Sequence, residues 1–140
     1  MKVHFRRIDA KATIPTYAHK SDAGLDIYSI ESIILEPGVP TQVRTGIASE
    51  FDAGYVALVW DKSGISMKLG VTVLGGVIDA GYRGEWIIGL INLTDTPQTI
   101  VAGSKIAQVL FQRVERADID EAVELSSSAR GTDGFGSTGN

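Results

Sequence analysis

Cysteine is absent from this chain of 140 residues, which excludes disulfides and thiolate metal sites. Histidine is almost absent: His4 and His19 stand apart without helical or loop pairing and do not make a metal site. Positive charge is in deficit, with 13 Lys and Arg against 17 Asp and Glu for a net charge of −4. A general affinity for nucleic acid needs a basic surface that displaces counterions, and none is expected here. Long apolar runs are missing too. No window approaches the length needed to span a bilayer, and no apolar stretch follows Lys2, Arg6 and Arg7 as it would in a signal peptide. The expectation is a soluble, cytoplasmic protein with no membrane or nucleic-acid partner. What is present is ordinary: 44% hydrophobic and 21% charged residues suit a globular domain, and the length suits one core.

The periodicity is that of strands. Val3, Phe5 and Arg7 alternate with His4, Arg6 and Ile8, and Leu25 to Tyr28 is short and β-rich. Glu36-Pro37-Gly38 marks a turn before a strand-like Val43 to Ile47. Compact apolar runs at Tyr55–Trp60, Trp86–Leu93 and Ile106–Phe111 suit strands covered on both faces. The spacing predicts an all-β sandwich or barrel with at most one or two short helices, at Ser63–Leu69 and within Ala117–Leu125. Trp60 and Trp86 lie in apolar runs and read as core or interface residues. Residues 1–125 form the domain. Residues 126–140 hold four Ser, four Gly and two Thr with one large apolar residue, Phe135. Such a tail cannot repay the entropy of its own ordering, so a flexible terminus is expected.

Five segments carry residues with chemical reach. In Ala23-Gly24-Leu25-Asp26-Ile27, a carboxylate stands between apolar neighbours, which is costly unless it is paired, solvated or near a cation. Asp26 suits the outer shell of a hard metal ion through bound water, though strand-edge aspartates are common. In Asp61-Lys62-Ser63-Gly64, a cation, a hydroxyl and a glycine enter a helix and suit an anion. The plainer reading is a helix start capped by Ser63. In Gly75 to Glu85, paired glycines permit a tight hairpin, Asp79 ends a strand where it could deprotonate a water, and Tyr82 offers a flat face. A bare turn would use the same residues. Gln108 is polar within an apolar run and needs partners, either a ligand or neighbouring backbone. In the tail, Arg130, Phe135, Ser137 and Thr138 string a cation, a ring and two hydroxyls on flexible backbone.

In this order and spacing the five segments resemble the five sequence motifs of the homotrimeric dUTPases, from His4 to Gly139. The most specific pieces are Gly76-Val77-Ile78-Asp79 with Tyr82-Arg83-Gly84, Ala107-Gln108, and Arg130-Gly131 followed by Gly134 to Gly139. The resemblance implies a distorted β-barrel or jelly roll of the β-clip kind. It also implies Mg²⁺-dependent hydrolysis of dUTP to dUMP and pyrophosphate, which keeps uracil out of DNA. Three subunits would build three sites, each with motifs one, two and four from one chain, motif three from a second and the tail from a third as a lid.

Carried onto this sequence, the family's roles are specific. Asp79 activates the attacking water, Asp26 holds the water shell of Mg²⁺, and Gln108 meets the α-phosphate or that water. Lys62, Ser63 and Gly64 hold the phosphate chain. Gly76, Val77 and Ile78 read uracil, and Tyr82 packs under the deoxyribose. Arg130 neutralises the γ-phosphate, Phe135 stacks on the base, and Gly136, Ser137 and Thr138 close over the phosphates. The chain departs from the family pattern at Lys62, usually arginine, at Asp61, often proline, at Gly81, often a carboxylate, and at Asp133, commonly glycine. Two other readings share the fold: a dCTP deaminase or bifunctional deaminase–dUTPase, and an inactive regulatory module. Deamination would need glutamate where Gly89 stands and arginine where Met67 stands.

Overall fold

The computed structural model describes residues 1–132. Within them the chain forms β1 (Val3–Arg7), β2 (Leu25–Tyr28), β3 (Ile33–Leu35), β4 (Thr41–Arg44), β5 (Ile47–Phe51) and β6 (Tyr55–Trp60). A single helix, α1 (Ser63–Leu69), precedes β7 (Val71–Leu74), β8 (Val77–Asp79), β9 (Ile87–Asn92), β10 (Gln98–Ile100) and β11 (Lys105–Arg113). The strands form four sheets, ordered β1-β5, β10-β3, β2-β11-β6-β8 and β4-β9-β7. All of their strand pairings are antiparallel. The architecture is an all-β jelly roll of open sheets; no sheet among the described residues closes into a barrel.

The core lies between the sheets. Trp86 is 1% exposed and meets Phe5 edge-on at 5.5 Å between ring centroids. Ile27, Leu35, Val43 and Leu90 are fully buried beside it. Trp60, by contrast, is 56% exposed at the end of β6, so of the two readings, core or interface, the core one holds for Trp86 alone.

Three expectations need correction. Val43 to Ile47 is not one strand: β4 ends at Arg44 and β5 begins at Ile47, with Gly46 at φ +67° between them. A side chain at Gly46 would lie 2.9 Å from both Ala12 and Asp9, so the chain kinks where only glycine fits. Ala117–Leu125 forms no helix and is exposed throughout, because its apolar residues have no sheet face to cover. The paired glycines do not make a hairpin either. β7 joins β9 in the three-stranded sheet, whereas β8 joins β6 in the four-stranded one, so Gly75 and Gly76 form a corner between sheets.

That corner depends on glycine. Gly75 and Gly76 have φ of +78° and +109°. The Gly76 carbonyl accepts the Val59 N–H at 2.7 Å, and a Cβ on Gly76 would lie 2.7 Å from the Val59 carbonyl oxygen. Gly76→Ala is therefore expected to destabilise the fold by about 2–3 kcal/mol, from strained backbone and the clash together. A shift in the denaturation midpoint measures it; an unchanged midpoint would show that the corner tolerates a side chain.

Candidate functional site

Asp26 organises the first part of the site. It is 3% exposed in β2, between buried Leu25 and Ile27. Lys62 Nζ reaches its Oδ1 at 2.6 Å, and Lys105 Nζ reaches its Oδ2 at 2.6 Å. Burial pushes the Asp26 carboxyl up, but hydrogen bonds and charge from Lys105 and Lys62 outweigh it and hold the group below its ordinary value. The Lys105 ammonium is raised in turn by its hydrogen bond to Asp26. Two cations thus share one buried carboxylate.

Gln108 stands directly across from Asp26 in the β2–β11 register and across from Trp60 in the β6–β11 register. Its Nε2 donates to the Asp61 carbonyl at 2.8 Å, so the backbone supplies one of the partners it needs. A Cβ at Gly24 would come 2.5 Å from Gln108 Oε1, so the missing side chain there makes room for the amide. Asp22, Gly24, Asp26, Lys62 and Gln108 line one cleft of about 330 Å³. Ser63 and Gly64 follow at the exposed start of α1. Lys62, and not Ser63, occupies the helix N-cap position, and no side chain caps the end.

Asp79 and Tyr82 lie elsewhere. Asp79 ends β8 opposite Val56, four residues along β6 from Trp60 and Gln108, or roughly 13 Å along the strand. Both line a second cleft, of about 250 Å³, with Val77, Ile78 and Glu85. The Tyr82 hydroxyl donates to the Glu85 carbonyl at 3.0 Å. A third cleft, of about 340 Å³, runs beside the glycine corner and is lined by Trp60, Asp61, Val73, Gly75, Gly76 and Val77. Arg130 is exposed. Phe135, Gly136, Ser137 and Thr138 lie outside the described residues.

One chain thus gathers Asp26, Lys62 and Gln108 and keeps Asp79 and Tyr82 apart from them. The sequence reading gave no role to Lys105 and treated Asp61 and Gly24 as background. Nothing local signals the Lys105–Asp26 pair, because it forms only when β11 is laid against β2.

A family model described as dUTPase matches residues 10–139. The chain belongs to the dUTPase family. Among curated relatives, the deoxyuridine 5'-triphosphate nucleotidohydrolase of Thermobifida fusca is 48% identical over 99% of this chain and 79% of its own length. That of Corynebacterium diphtheriae is 44% identical over 98% of this chain and 92% of its own. Among solved structures, the dUTPase of Staphylococcus bacteriophage 80alpha with dUPNHPP superposes with a TM-score of 0.91 at 29% identity, covering 99% of both chains. A D95N mutant dUTPase of phage phi11, described with a structural Mg(II) ion, gives 0.80 at 27% identity over 89% of this chain and 98% of its own.

For this dUTPase-family chain, Mg²⁺ at Asp26 can be tested on the donor atoms. Both carboxylate oxygens are engaged by ammonium groups, and no cluster of three or more His, Cys, Asp or Glu exists among the described residues. A divalent cation would meet two like charges there. Direct ligation of a metal by Asp26 does not fit; the carboxylate would reach such an ion through bound water. At Gly89, a Cβ would lie 3.0 Å from the Leu74 carbonyl, so a deaminase-type glutamate would need β7 to give by a few tenths of an ångström. No helix among the described residues is long and apolar enough to cross a membrane.

Proposed function

We propose that this chain hydrolyses dUTP to dUMP and pyrophosphate, in the cytoplasm, as the magnesium complex of the triphosphate. The observation that carries the reading is the Lys62 ammonium paired with buried Asp26 beside Gln108, in one cleft of a dUTPase-family chain. Pre-placed cations are what phosphoryl transfer needs, since its catalysis is mostly positioning and charge neutralisation. Magnesium would supply further charge neutralisation on the triphosphate, with Asp26 as the residue that would hold its water shell.

Asp79 accepts a proton from a water as that water attacks the α-phosphorus in line. The bond from that phosphorus to the bridging oxygen breaks, and pyrophosphate leaves. Lys62, the Ser63 hydroxyl and the Gly64 backbone hold the phosphate chain, and Gln108 meets the α-phosphate. Uracil pairs with the backbone of Gly76, Val77 and Ile78, with deoxyribose against Tyr82. The offset between Asp79 and Gln108, roughly 13 Å along the strand and two strands across the sheet, supports a homotrimer in which the base-reading corner of one subunit faces the phosphate cleft of the next. Residues 126–140 serve as the lid, with Arg130 on the γ-phosphate, Phe135 on the base and Gly136 to Thr138 over the phosphates.

Pyrophosphate release with dUTP, dCTP, dTTP and UTP tests the reading. Release from dUTP alone is expected, and an inert protein would sink it. Deleting the residues after Ser128 is expected to leave a folded trimer by light scattering with little turnover. Full activity in the truncated protein would show that no lid is needed.

A further inference from the structure

Tyr82 rests on its own loop. Its N–H donates to the Asp79 carbonyl at 3.0 Å, and its hydroxyl donates to the Glu85 carbonyl at 3.0 Å. A Cβ on Gly84 would lie 2.6 Å from Cζ of Tyr82, so the ring lies against bare backbone there. Arg83 closes the turn, with Nη1 donating to the Ala80 carbonyl at 2.6 Å and the Tyr82 carbonyl at 3.1 Å. These bonds set the shape of the loop. They do not set where it stands on the rest of the molecule.

The Glu85 carboxylate does that. Its Oε1 accepts the Gly46 N–H at 2.8 Å, and its Oε2 accepts Arg44 Nε and Nη2, each at 3.2 Å. Arg44 and Gly46 belong to the kink between β4 and β5. The Glu85 side chain is largely buried and that of Arg44 is exposed, so the Gly46 bond is the sheltered one. A second tie, Arg83 Nη2 to Glu50 at 3.6 Å, joins two exposed side chains and contributes little. The chain entering β9 is held separately. The Trp86 N–H donates to the Ile47 carbonyl at 2.8 Å, and the Trp86 carbonyl accepts the Thr45 hydroxyl. Loss of the carboxylate therefore frees the loop and leaves the strand in place.

We propose that Glu85 is a positioning residue for sugar selectivity: through the Gly46 N–H it fastens the loop to the β4–β5 kink and so fixes the depth of the Tyr82 ring. Glu85, Asp79 and Tyr82 line the same cleft of about 250 Å³. A ring backed by a fixed loop cannot recede, and the 2′-hydroxyl of a ribose meets it. A ring on a loose loop gives way and admits that hydroxyl. This inference rests on the reading of the chain as a dUTP hydrolase with deoxyribose against Tyr82, and adds what keeps that wall in place.

The test compares kcat/KM for dUTP, UTP and dCTP in the parent, Glu85→Ala and Glu85→Gln proteins. Dissociation constants for dUMP and UMP, by calorimetry, report sugar selectivity without turnover. In Glu85→Ala both sugar ratios are expected to fall at least about tenfold, since a shift of about 1 Å in a fitted contact can change a rate by more than that. The dUTP to dCTP ratio should hold, because the base is read elsewhere. Glu85→Gln keeps an oxygen for the Gly46 N–H and should retain all the ratios. Sugar and base ratios that fall together would show simple loosening and overturn the proposal. So would sugar ratios that do not move, or a glutamine variant as permissive as the alanine one. A parent protein inert toward dUTP would instead sink the functional reading.

If the alanine variant does not fold, Glu85→Asp carries the test. It keeps the charge but shortens the reach by one methylene, so the bond to Gly46 is lost or the loop is drawn out of place. The sugar ratios are expected to fall in either case with the base ratio unchanged. Parent-like sugar ratios would overturn the proposal.

Discussion

Asp79→Asn will lower dUTP turnover at least about a hundredfold, the loss expected when a general base is removed, while nucleotide binding stays near that of the parent. The amide matches the carboxylate in shape but cannot take up the proton of the attacking water. The change should not disturb the frame, because the Asp79 backbone is held independently. Its carbonyl accepts the Tyr82 N–H at 3.0 Å, and β8 pairs with β6 through Val56, Ala57 and Leu58. None of the ion pairs among the described residues involves the Asp79 carboxylate, so no cation is stranded by the exchange. Measuring kcat by pyrophosphate release and dUMP affinity by calorimetry separates the two effects. Near-normal kcat would remove Asp79 from the chemistry.

Asp26→Asn acts differently, on the fold and the phosphate cleft together. Two ammonium groups now held at 2.6 Å would face a neutral amide and each other. Both lysines keep partial access to water, which softens the penalty, so a loss of about 2 kcal/mol is expected, below the usual cost of breaking a fully buried pair. kcat/KM should fall as Lys62 and Lys105 move apart. The pH dependence gives the sign. Because the folded carboxyl lies below its ordinary value of 3.8, its contribution is complete above that value and disappears as pH falls through the lower folded one. Acid titration of the parent should therefore show a loss of stability starting near pH 4, which the variant lacks. Identical acid limbs would mean that the two lysines do not stabilise the ionised form.

Runs with strong local patterning were legible from residues alone. β6 follows the apolar run from Tyr55 to Trp60, and α1 spans Ser63 to Leu69 as its spacing indicates. β3 and β10 were not legible, because three residues carry too little alternation to stand out; they exist because they pair with each other across the chain. The kink at Gly46 escaped for a related reason. It is fixed by Glu85, whose carboxylate accepts the Gly46 N–H at 2.8 Å and pairs with Arg44, some forty residues away in sequence.

The site divides in the same way. The cost of burying Asp26 between Leu25 and Ile27 could be read directly, and so could its need for a partner. The identity of those partners could not, because Lys105 reaches it only through the β2–β11 register. The glycine pair was read as a tight hairpin, whereas it bends the chain from one sheet to another. Its destination was not readable, since turn residues specify the bend and only the pairing of β7 and β8 decides which sheet each joins.

The cleft beside Gly75 and Gly76 has walls from both β6 and β7, strands of different sheets. Whatever fills it acts as a rivet between two plates. Part of the cohesion of the molecule is then on loan from its contents, and an emptied cleft leaves a looser body than a filled one. At a hundred times its dissociation constant such a guest adds about 2.7 kcal/mol, so heat resistance should rise and fall with the supply of nucleotide.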